Sequence, residues 1–188
     1  MDWISETIGV RGFLCLFGPC AQKGVSELLS IHKTINGKMT RLDAVQDGCW
    51  VNLTYPSEDE LNTVAVTLGV EPSFLRAALD EEETSRIDTE EGQTLIIIDA
   101  PSVEKDDAVV YSTLPLGIIV TKKHIITVCL KETSILKDFQ DGLVRNADTQ
   151  KRTQFILYML LQVAKRFLQY LKQIDKIYNY MERQLYKS

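Results

Sequence analysis

The C-terminal part of the chain carries an unbroken heptad pattern of apolar side chains, and this pattern most restricts what the chain can fold into. Its positions step by three and four residues: Leu157, Leu160, Ala164, Phe167, Leu171, Ile174, Tyr178, Met181 and Leu185. Such spacing is typical of a helix that packs along a coiled-coil seam. A second apolar stripe widens this face enough to contact two neighbours: Ile156, Val163, Tyr170 and Ile177.

The predicted helix is long for the size of the chain. If it runs from Thr149 to Lys187, it measures about 58 Å at 1.5 Å per residue. The 188 residues support a single core of ordinary size. We therefore expect part of the helix to project from the domain or to pair. Because no Gly, Asn cap or Pro closes the pattern, we expect the architecture to continue; a helix end that frays into solvent is the alternative.

Composition and charge exclude several classes of protein. With 45% hydrophobic and 25% charged residues, the chain is globular rather than disordered. Its net charge of −5 and pI of 5.1 argue against a nucleic-acid binder. The stretch Thr153–Ala164 is free of charge but shorter than the ~18–20 residues that a membrane span needs. These values favour a soluble, mildly acidic α/β domain.

Two segments of opposite charge are hidden in this balance. Residues Asp80–Glu91 hold seven acids and one base, and residues Lys151–Ser188 hold eight bases and two acids. Their net charges of −6 and +6 would allow the two segments to meet within or between subunits.

Strand and helix signals begin at residue 31, whereas residues 1–30 show no persistent period and form a poorly defined N-terminal extension. Alternation on both sides of Asn36-Gly37 predicts a β-hairpin with a type I′ turn. Cys49–Leu53 reads as a short buried strand. Ser57 and Glu60 match a capping box at the start of a helix that ends at Gly69.

The next helix is predicted to begin at Pro72, with an apolar face of Phe74, Leu75, Ala78 and Leu79. Three apolar runs then predict an antiparallel meander with turns at Asp106-Asp107 and at residues 121–124: Thr94–Ile98, Leu114–Val120 and Ile125–Leu130. Ser134 is expected to cap a further helix that carries Ile135, Leu136, Phe139 and Leu143.

Cysteines and histidines show no arrangement suited to catalysis or zinc binding. The cysteines lie at no metal-ligand spacing, and we expect buried or half-buried thiols in a reducing compartment: Cys15, Cys20, Cys49 and Cys129. His124, beside two lysines, is expected to be a solvated turn residue. Because no nucleotide-binding, zinc-protease or serine-hydrolase motif is present, we expect no enzymatic activity.

The acidic block is the one chemical oddity. On a helix that continues from Pro72, Asp80 and Glu83 would share a face. Clustered carboxylates repel unless a cation neutralises them, and Mg²⁺ prefers oxygen ligands. The alternative is a solvated helix end followed by a polar loop.

Five ordered sequence blocks resemble the N-terminal cytoplasmic domain of the CorA family of magnesium/cobalt transporters. They lie between about Ile31 and Ser188 and read WVNLTYPSEDEL, LGVEPSFLRAALDEEETSRID, GQTLIIIDAP, LPLGIIVTKKHIITVCL and RTQFILYMLLQVAKRFLQYLKQID. The resemblance implies an α/β fold, with three α/β/α layers, a mixed parallel and antiparallel central sheet and a long C-terminal helix. Residues 31–148 would form the α/β/α domain, and residues 149–188 the helix, which packs on the domain and leads toward an absent stalk.

The function implied by the resemblance is regulation of a divalent-cation transporter. The parent would carry Mg²⁺ or Co²⁺ across the inner membrane as a homopentamer, attached to the membrane only by later helices that this fragment lacks. The fragment would lie in the cytoplasm, sense divalent ions there and help to hold the channel closed. Apart from a regulatory Mg²⁺ or Co²⁺, no cofactor is implied.

Two positions depart from the pattern of the family. Arg76-Ala77 occupies a region where many members have an acidic pair, and Lys165-Arg166 stands where acids often follow the apolar start of the long helix. Cationic side chains cannot bind Mg²⁺, so the metal-ligand candidates are Asp80, Glu81 and Glu83. The alternative function is a soluble α/β interaction module that oligomerises through its heptad helix.

Overall fold

Residues 29–105 and 109–186, described by a computed structural model, form a seven-stranded sheet with helices on both faces. The strands are β1 (Leu29–Ile35), β2 (Lys38–Leu42), β3 (Trp50–Thr54), β4 (Arg86–Glu90), β5 (Gln93–Lys105), β6 (Val109–Val120) and β7 (Ile125–Cys129). The helices are α1 (Glu58–Leu68), α2 (Pro72–Ala77), α3 (Ser134–Gln140) and α4 (Arg152–Leu185). Of the extension expected at residues 1–30, Leu29 and Ser30 belong to β1, and residues 1–28, with Cys15 and Cys20, lie outside the described residues, as does the turn at Asp106-Asp107.

The sheet is mixed, as predicted. Its strand order is β2-β1-β3-β7-β6-β5-β4. Strands β3 and β7 pair in parallel, whereas the other neighbours pair antiparallel. The meander β5-β6-β7 is confirmed, and β7 returns to the centre of the sheet beside β3. Because both faces of these two central strands are covered, all residues of β7 are buried.

The predicted turn and cap signals are confirmed at the start of the fold. Asn36 and Gly37 have φ of 52° and 76°, which the type I′ turn between β1 and β2 requires. Ser57 and Glu60 form the capping box of α1. Gly69 ends α1 in the left-handed conformation, with φ of 62°.

Helices α1 and α2 cover one face of the sheet. Leu61 and Val64 of α1 and Phe74 and Leu75 of α2 are buried in a core with apolar residues of five strands. Gly117 on β6 lies directly beneath the end of α2, because a Cβ placed on it would come within 2.6 Å of the Cβ of Ala78. The absence of a side chain at Gly117 therefore sets how closely α2 approaches the sheet.

Helices α3 and α4 cover the opposite face through an aromatic cluster. The ring of Trp50 on β3 lies 6.2 Å from that of Phe139 on α3 and 5.5 Å from that of Phe155 on α4. Phe139 and Phe155 contact each other edge to face at 5.1 Å. All three side chains are buried. The contacts among these three rings therefore hold the layer of α3 and α4 against the sheet.

Two local predictions need correction, and one strand was missed. Thr133, not Ser134, is the cap of α3, since its side chain accepts the hydrogen bond from the Leu136 amide. Leu143 lies beyond the end of α3 and is exposed. The chain turns at Asp141-Gly142, where Gly142 has φ of 68°, and this turn removes Leu143 from the helical face. Strand β4, within the acidic block, was not predicted.

We expect Gly117→Ala to lower the free energy of unfolding by about 1–3 kcal/mol, because the added methyl group overlaps with Ala78. Elsewhere in a strand, Gly→Ala is ordinarily stabilising. Urea unfolding measures the change. The double variant with Ala78→Gly should recover most of the loss, and a Gly117→Ala protein as stable as the parent would contradict the close approach.

Candidate functional site

The first half of α4 is anchored in the domain. Phe155, Ile156, Met159 and Val163 are buried against the sheet and α3. Phe155, Met159 and Val163 recur at i, i+4 and i+8, and Ile156 lies beside Phe155, so that the four fall on one face of the helix. The second apolar stripe supplies Ile156 and Val163, as predicted, but Phe155 and Met159 were missed. Their four-residue spacing through to Val163 was the available signal.

The second half of α4 leaves the domain. The helix has 34 residues, or about 51 Å at 1.5 Å per residue. Every residue from Leu171 to Met181 is exposed. The predicted heptad seam lies uncovered there, with Leu171 57% and Tyr178 63% exposed. We expect part of the helix to project from the domain or to pair, and in this single chain it projects.

A hairpin arm supports α4 where it leaves the domain. The outer parts of β5 and β6 pair from Asp99 with Pro115 to Lys105 with Val109. Near the tip of this arm, Tyr111 Oη donates a hydrogen bond to Gln173 Oε1 at 3.0 Å, and its ring lies 5.4 Å from that of Tyr170. The arm thus contacts the helix two turns beyond its last fully buried residue, Val163.

Two ion pairs connect this region to α3 and to the end of β7. Arg166 Nη2 lies 2.8 Å from Asp138 Oδ2 on α3, and Lys131 Nζ lies 2.6 Å from Glu104 Oε1 on the arm. The hydrogen bond and charge of Lys131 lower the pKa of Glu104. Lys165 is exposed. Of the basic pair Lys165-Arg166, one member therefore fixes the helix to the domain.

The acidic block does not continue the helix that begins at Pro72. Helix α2 ends at Ala77, and Ala78 follows with ψ of 0°. The chain then turns, with the Glu83 amide donating to the Asp80 carbonyl at 3.2 Å. The prediction of one helical face for Asp80 and Glu83 is therefore wrong. Consecutive carboxylates at a helix C-terminus are repelled by the partial negative charge of the helix end, which favours the turn.

The carboxylates of the block have different partners. Asp80 Oδ1 accepts a hydrogen bond from the Glu82 amide at 3.0 Å, which stabilises the turn itself. Glu83 forms an ion pair with Arg86, whose Nε lies 2.6 Å from Asp88 Oδ2. Hydrogen bonds to Asp88 and then Glu83 raise the pKa of Arg86. Glu83 is thus held by a guanidinium.

The charge of Glu81 acts on Lys131, the lysine that is paired with the hairpin arm. The pKa of Lys131 is raised first by its hydrogen bond to Glu104, and the negative charge of Glu81 adds to this shift. Glu83, in contrast, is paired with Arg86. In residues 29–105 and 109–186 no three His, Cys, Asp or Glu side chains are grouped closely enough to hold a metal ion.

Arg76, which stands where the resemblance implies an acid, is also used inside the chain. Its Nη2 lies 3.0 Å from Glu58 Oε2 and 3.0 Å from Asn62 Oδ1, both on α1. The pair is exposed and connects the two helices of this layer. Arg76 is therefore a contact between α1 and α2 and not a cation ligand.

His124 is buried, which corrects the prediction of a solvated turn residue. Its Nδ1 lies 3.4 Å from Cys49 Sγ, and only 6% of the residue is exposed. Two hydrogen bonds close the turn: the His124 amide donates to Thr121 Oγ1, and the Thr121 amide donates to the His124 carbonyl. Burial raises the pKa of Cys49 and lowers that of His124, so both groups stay neutral and the thiol is not activated.

Cys49 and Cys129 are buried free thiols, as predicted. Burial raises the pKa of Cys129 to about 11. No helix within the described part of the chain is long and apolar enough to cross a membrane.

Comparison with known proteins relates this chain to one family. A family model described as CorA-like Mg²⁺ transporter protein matches residues 45–188. The cobalt/magnesium transport protein CorA of Methanocaldococcus jannaschii is 32% identical over 79 residues, which are 42% of this chain and 24% of that protein.

Solved structures agree on the fold. The complete CorA magnesium transporter of Methanocaldococcus jannaschii superposes with a TM-score of 0.60 at 19% identity, over 80% of this chain and 49% of that one. The soluble domain of CorA from the same organism gives 0.61 at 22% identity, over 77% of this chain and 60% of that one. The chain thus spans less than two thirds of each of these relatives.

We expect Phe155→Ala to lower the free energy of unfolding by about 3–5 kcal/mol, because it removes a ring from the cluster that anchors α4. The matched change Leu171→Ala, on the exposed seam, should alter it by less than about 0.5 kcal/mol. Urea denaturation of dilute protein compares the two. Equal losses would show that the seam is covered within the single chain.

Proposed function

The chain belongs to the family of CorA-like Mg²⁺ transporter proteins, and from that premise we propose that it is the regulatory domain of a divalent-cation transporter. One observation carries the proposal. Helix α4 is fixed to the domain by Phe155 and its neighbours and leaves it with an apolar seam uncovered from Leu171 onward. A helix held at one end only can transmit a change in the domain to whatever packs on its other end.

The uncovered seam is the proposed connection to the membrane part. Exposed apolar side chains on a heptad pattern favour helical partners. In the complete protein we assign these partners to further helices of the same chain and to other copies in a homo-oligomer, with a homopentamer as the expected form. The domain would lie on the cytoplasmic side of the inner membrane, and the transported ion would be Mg²⁺ or Co²⁺, as in the name of the curated relative.

The hairpin arm gives the domain a way to act on α4. The arm contacts α4 through Tyr111 and connects to the end of β7 through Glu104 and Lys131. Glu81 of the acidic block adds its charge at the same lysine. A cation that neutralises this block would therefore change the electrostatic field at Lys131, which is paired with the arm.

Asp80, Glu81 and Glu83 remain the proposed ligands of a regulatory Mg²⁺ or Co²⁺. Their arrangement supports weak binding only, because Glu83 is paired with Arg86 and a cation must compete with that guanidinium. Asp80 and Glu81 are exposed on the turn. With so few carboxylates available, we expect dissociation constants on the order of 1 mM.

A second candidate function is a soluble interaction module that oligomerises through α4. The uncovered seam favours it as much as it favours a transporter. The two differ in the role of cations, since a simple coiled-coil module would assemble without regard to Mg²⁺. Sedimentation of the chain with and without Mg²⁺ distinguishes the two functions, because an oligomeric state that does not change with Mg²⁺ favours the interaction module.

The regulatory role is tested in the complete protein reconstituted in vesicles. We expect Mg²⁺ on the side of the domain to reduce cation flux, because binding favours the closed state. The triple variant Asp80→Asn, Glu81→Gln, Glu83→Gln should need at least tenfold more Mg²⁺ for the same reduction. Flux assays against Mg²⁺ concentration on that side measure this shift.

A matched control comes from the same acidic block. Glu90→Gln with Glu91→Gln removes two exposed carboxylates at the end of β4 and should leave the Mg²⁺ dependence unchanged. An unchanged dependence in the triple variant would refute these three ligands. Flux that does not respond to Mg²⁺ on either side would refute the regulatory function itself.

A further inference from the structure

A straight row of basic side chains runs along one side of α4. Lys172, Lys176 and Arg183 follow Lys165 along the chain, at intervals that place all four within about 20° of one line when the helix has 3.6 residues per turn. The row is about 27 Å long at 1.5 Å per residue. All four residues are exposed, and together they form the cationic row of the helix.

The cationic row faces away from the domain. Ile156 and Val163, which are buried against the sheet, lie about half a turn from it around the helix. Ile174 of the exposed apolar seam also lies about half a turn away, and the acids Asp175 and Glu182 lie about a quarter of a turn away. Helices that cover the seam would therefore leave the cationic row open to a different partner.

No acid within residues 29–105 and 109–186 neutralises the cationic row. Helix α4 forms an ion pair with the domain through Arg166 and Asp138, and none of the four residues of the row forms one. The opposite net charges of residues 80–91 and 151–188 would allow these segments to meet within or between subunits, but no ion pair joins them in the described part of this chain. A contact between subunits is the alternative that stays open.

Three consecutive carboxylates are exposed on the turn after α2: Asp80, Glu81 and Glu82. The amide of Glu82 donates a hydrogen bond to Asp80 Oδ1 at 3.0 Å, which holds the turn in shape. Among the described residues none of the three carboxylates forms an ion pair. The charge of Glu81 acts on Lys131, but that lysine is already paired with Glu104. The turn thus carries uncompensated negative charge, as the cationic row carries positive charge.

We propose that the cationic row of one copy of this chain binds the turn Asp80–Glu82 of a second copy, with Lys172 and Lys176 on the carboxylates of Glu81 and Glu82. The two lysines are about 6 Å apart along the helix, so that each can meet one of two neighbouring carboxylates. Every copy brings one row and one turn, and a closed symmetric assembly therefore fills both. Such complementary charge determines which surfaces meet and in what orientation.

A second copy suits the cationic row better than a nucleic acid does. The chain has a net charge of −5, which repels a large polyanion as a whole. The turn of a second copy offers a few carboxylates at one place, on a surface that is always present at the same concentration as the row.

The contact goes beyond the proposed function, because it needs no cation. Its response to Mg²⁺, however, rests on that function. Mg²⁺ held by Asp80 and Glu81 would compete with the lysines for the same carboxylates. We therefore expect Mg²⁺ to weaken the contact more than NaCl of the same ionic strength, which only screens the charges.

Sedimentation equilibrium of the 188-residue chain at low ionic strength tests the contact. The double variant Glu81→Lys, Glu82→Lys should raise the dissociation constant of self-association at least tenfold, and Lys172→Glu with Lys176→Glu should do the same. An equal mixture of the two double variants should recover the value of the parent chain, because each supplies the charge that the other has reversed. All four side chains are exposed, and the recovery shows that both variants are folded.

Glu90→Lys with Glu91→Lys is the matched control. It makes the same change in net charge at the other end of β4 and should alter the dissociation constant less than threefold.

Three results would overturn the proposal. The first is a chain that stays monomeric at millimolar concentration and low ionic strength, and the second is a mixture that associates no better than either variant alone. The third is a loss of association in the lysine variant but not in the glutamate variant, which would assign the row to another anionic surface. If the mixture recovers association but Mg²⁺ acts only as NaCl does, the contact stands and the proposed cation ligands fail.

Discussion

The contact between Trp50, Phe139 and Phe155 is the interaction on which the rest of the structure depends. It joins the central strand β3 to α3 and α4. Trp50 Nε1 also donates a hydrogen bond to Thr127 Oγ1 at 2.8 Å, and Thr127 Oγ1 donates to Asn52 Oδ1 at 2.8 Å. This buried chain ties β3 to β7, the one parallel pair in the sheet. The same tryptophan therefore fixes the strand pairing at the centre of the sheet and the point at which α4 begins.

Once its first half is fixed in this way, the remainder of α4 has no surface of the domain left to cover. The helix is about 51 Å long at 1.5 Å per residue, and its buried residues end at Val163. Beyond Val163, Arg166 pairs with Asp138 of α3, and Tyr111 of the hairpin arm contacts the helix further along. The negative charge of Glu81, in the acidic block, helps to raise the pKa of Lys131. Lys131 forms an ion pair with Glu104 of the hairpin arm. Charge at the turn after α2 therefore acts on the lysine that is paired with the hairpin arm, and the same arm contacts α4 through Tyr111.

Most signals that depend on local chemistry predict the structure correctly, although the cap of α3 is Thr133 and not Ser134, whereas signals that depend on distant partners do not. Asn36-Gly37, the Ser57–Glu60 box and Gly69 need only their own backbone geometry, and each prediction is confirmed. Strand β4 has few apolar residues and forms because β5 offers it an edge, which no local pattern reveals. His124 was taken for a solvated residue because its partner, Cys49, lies 75 residues away. The heptad pattern located the long helix but left Phe155 out of the face that packs on the sheet. Which apolar stripe packs there depends on tertiary contacts.

Helix α4 is anchored by its first half, is contacted by the hairpin arm at Tyr170 and Gln173, and is exposed from Leu171 to Met181. Amide hydrogen exchange, followed by mass spectrometry on dilute protein that sediments as a monomer, tests this most directly. Amides from Phe155 to Phe167 should be protected as strongly as those of β3 and β7, and amides beyond Gln173 should exchange orders of magnitude faster, because their helix is held by local hydrogen bonds alone. Uniform protection of α4 as far as Leu185 would contradict the account.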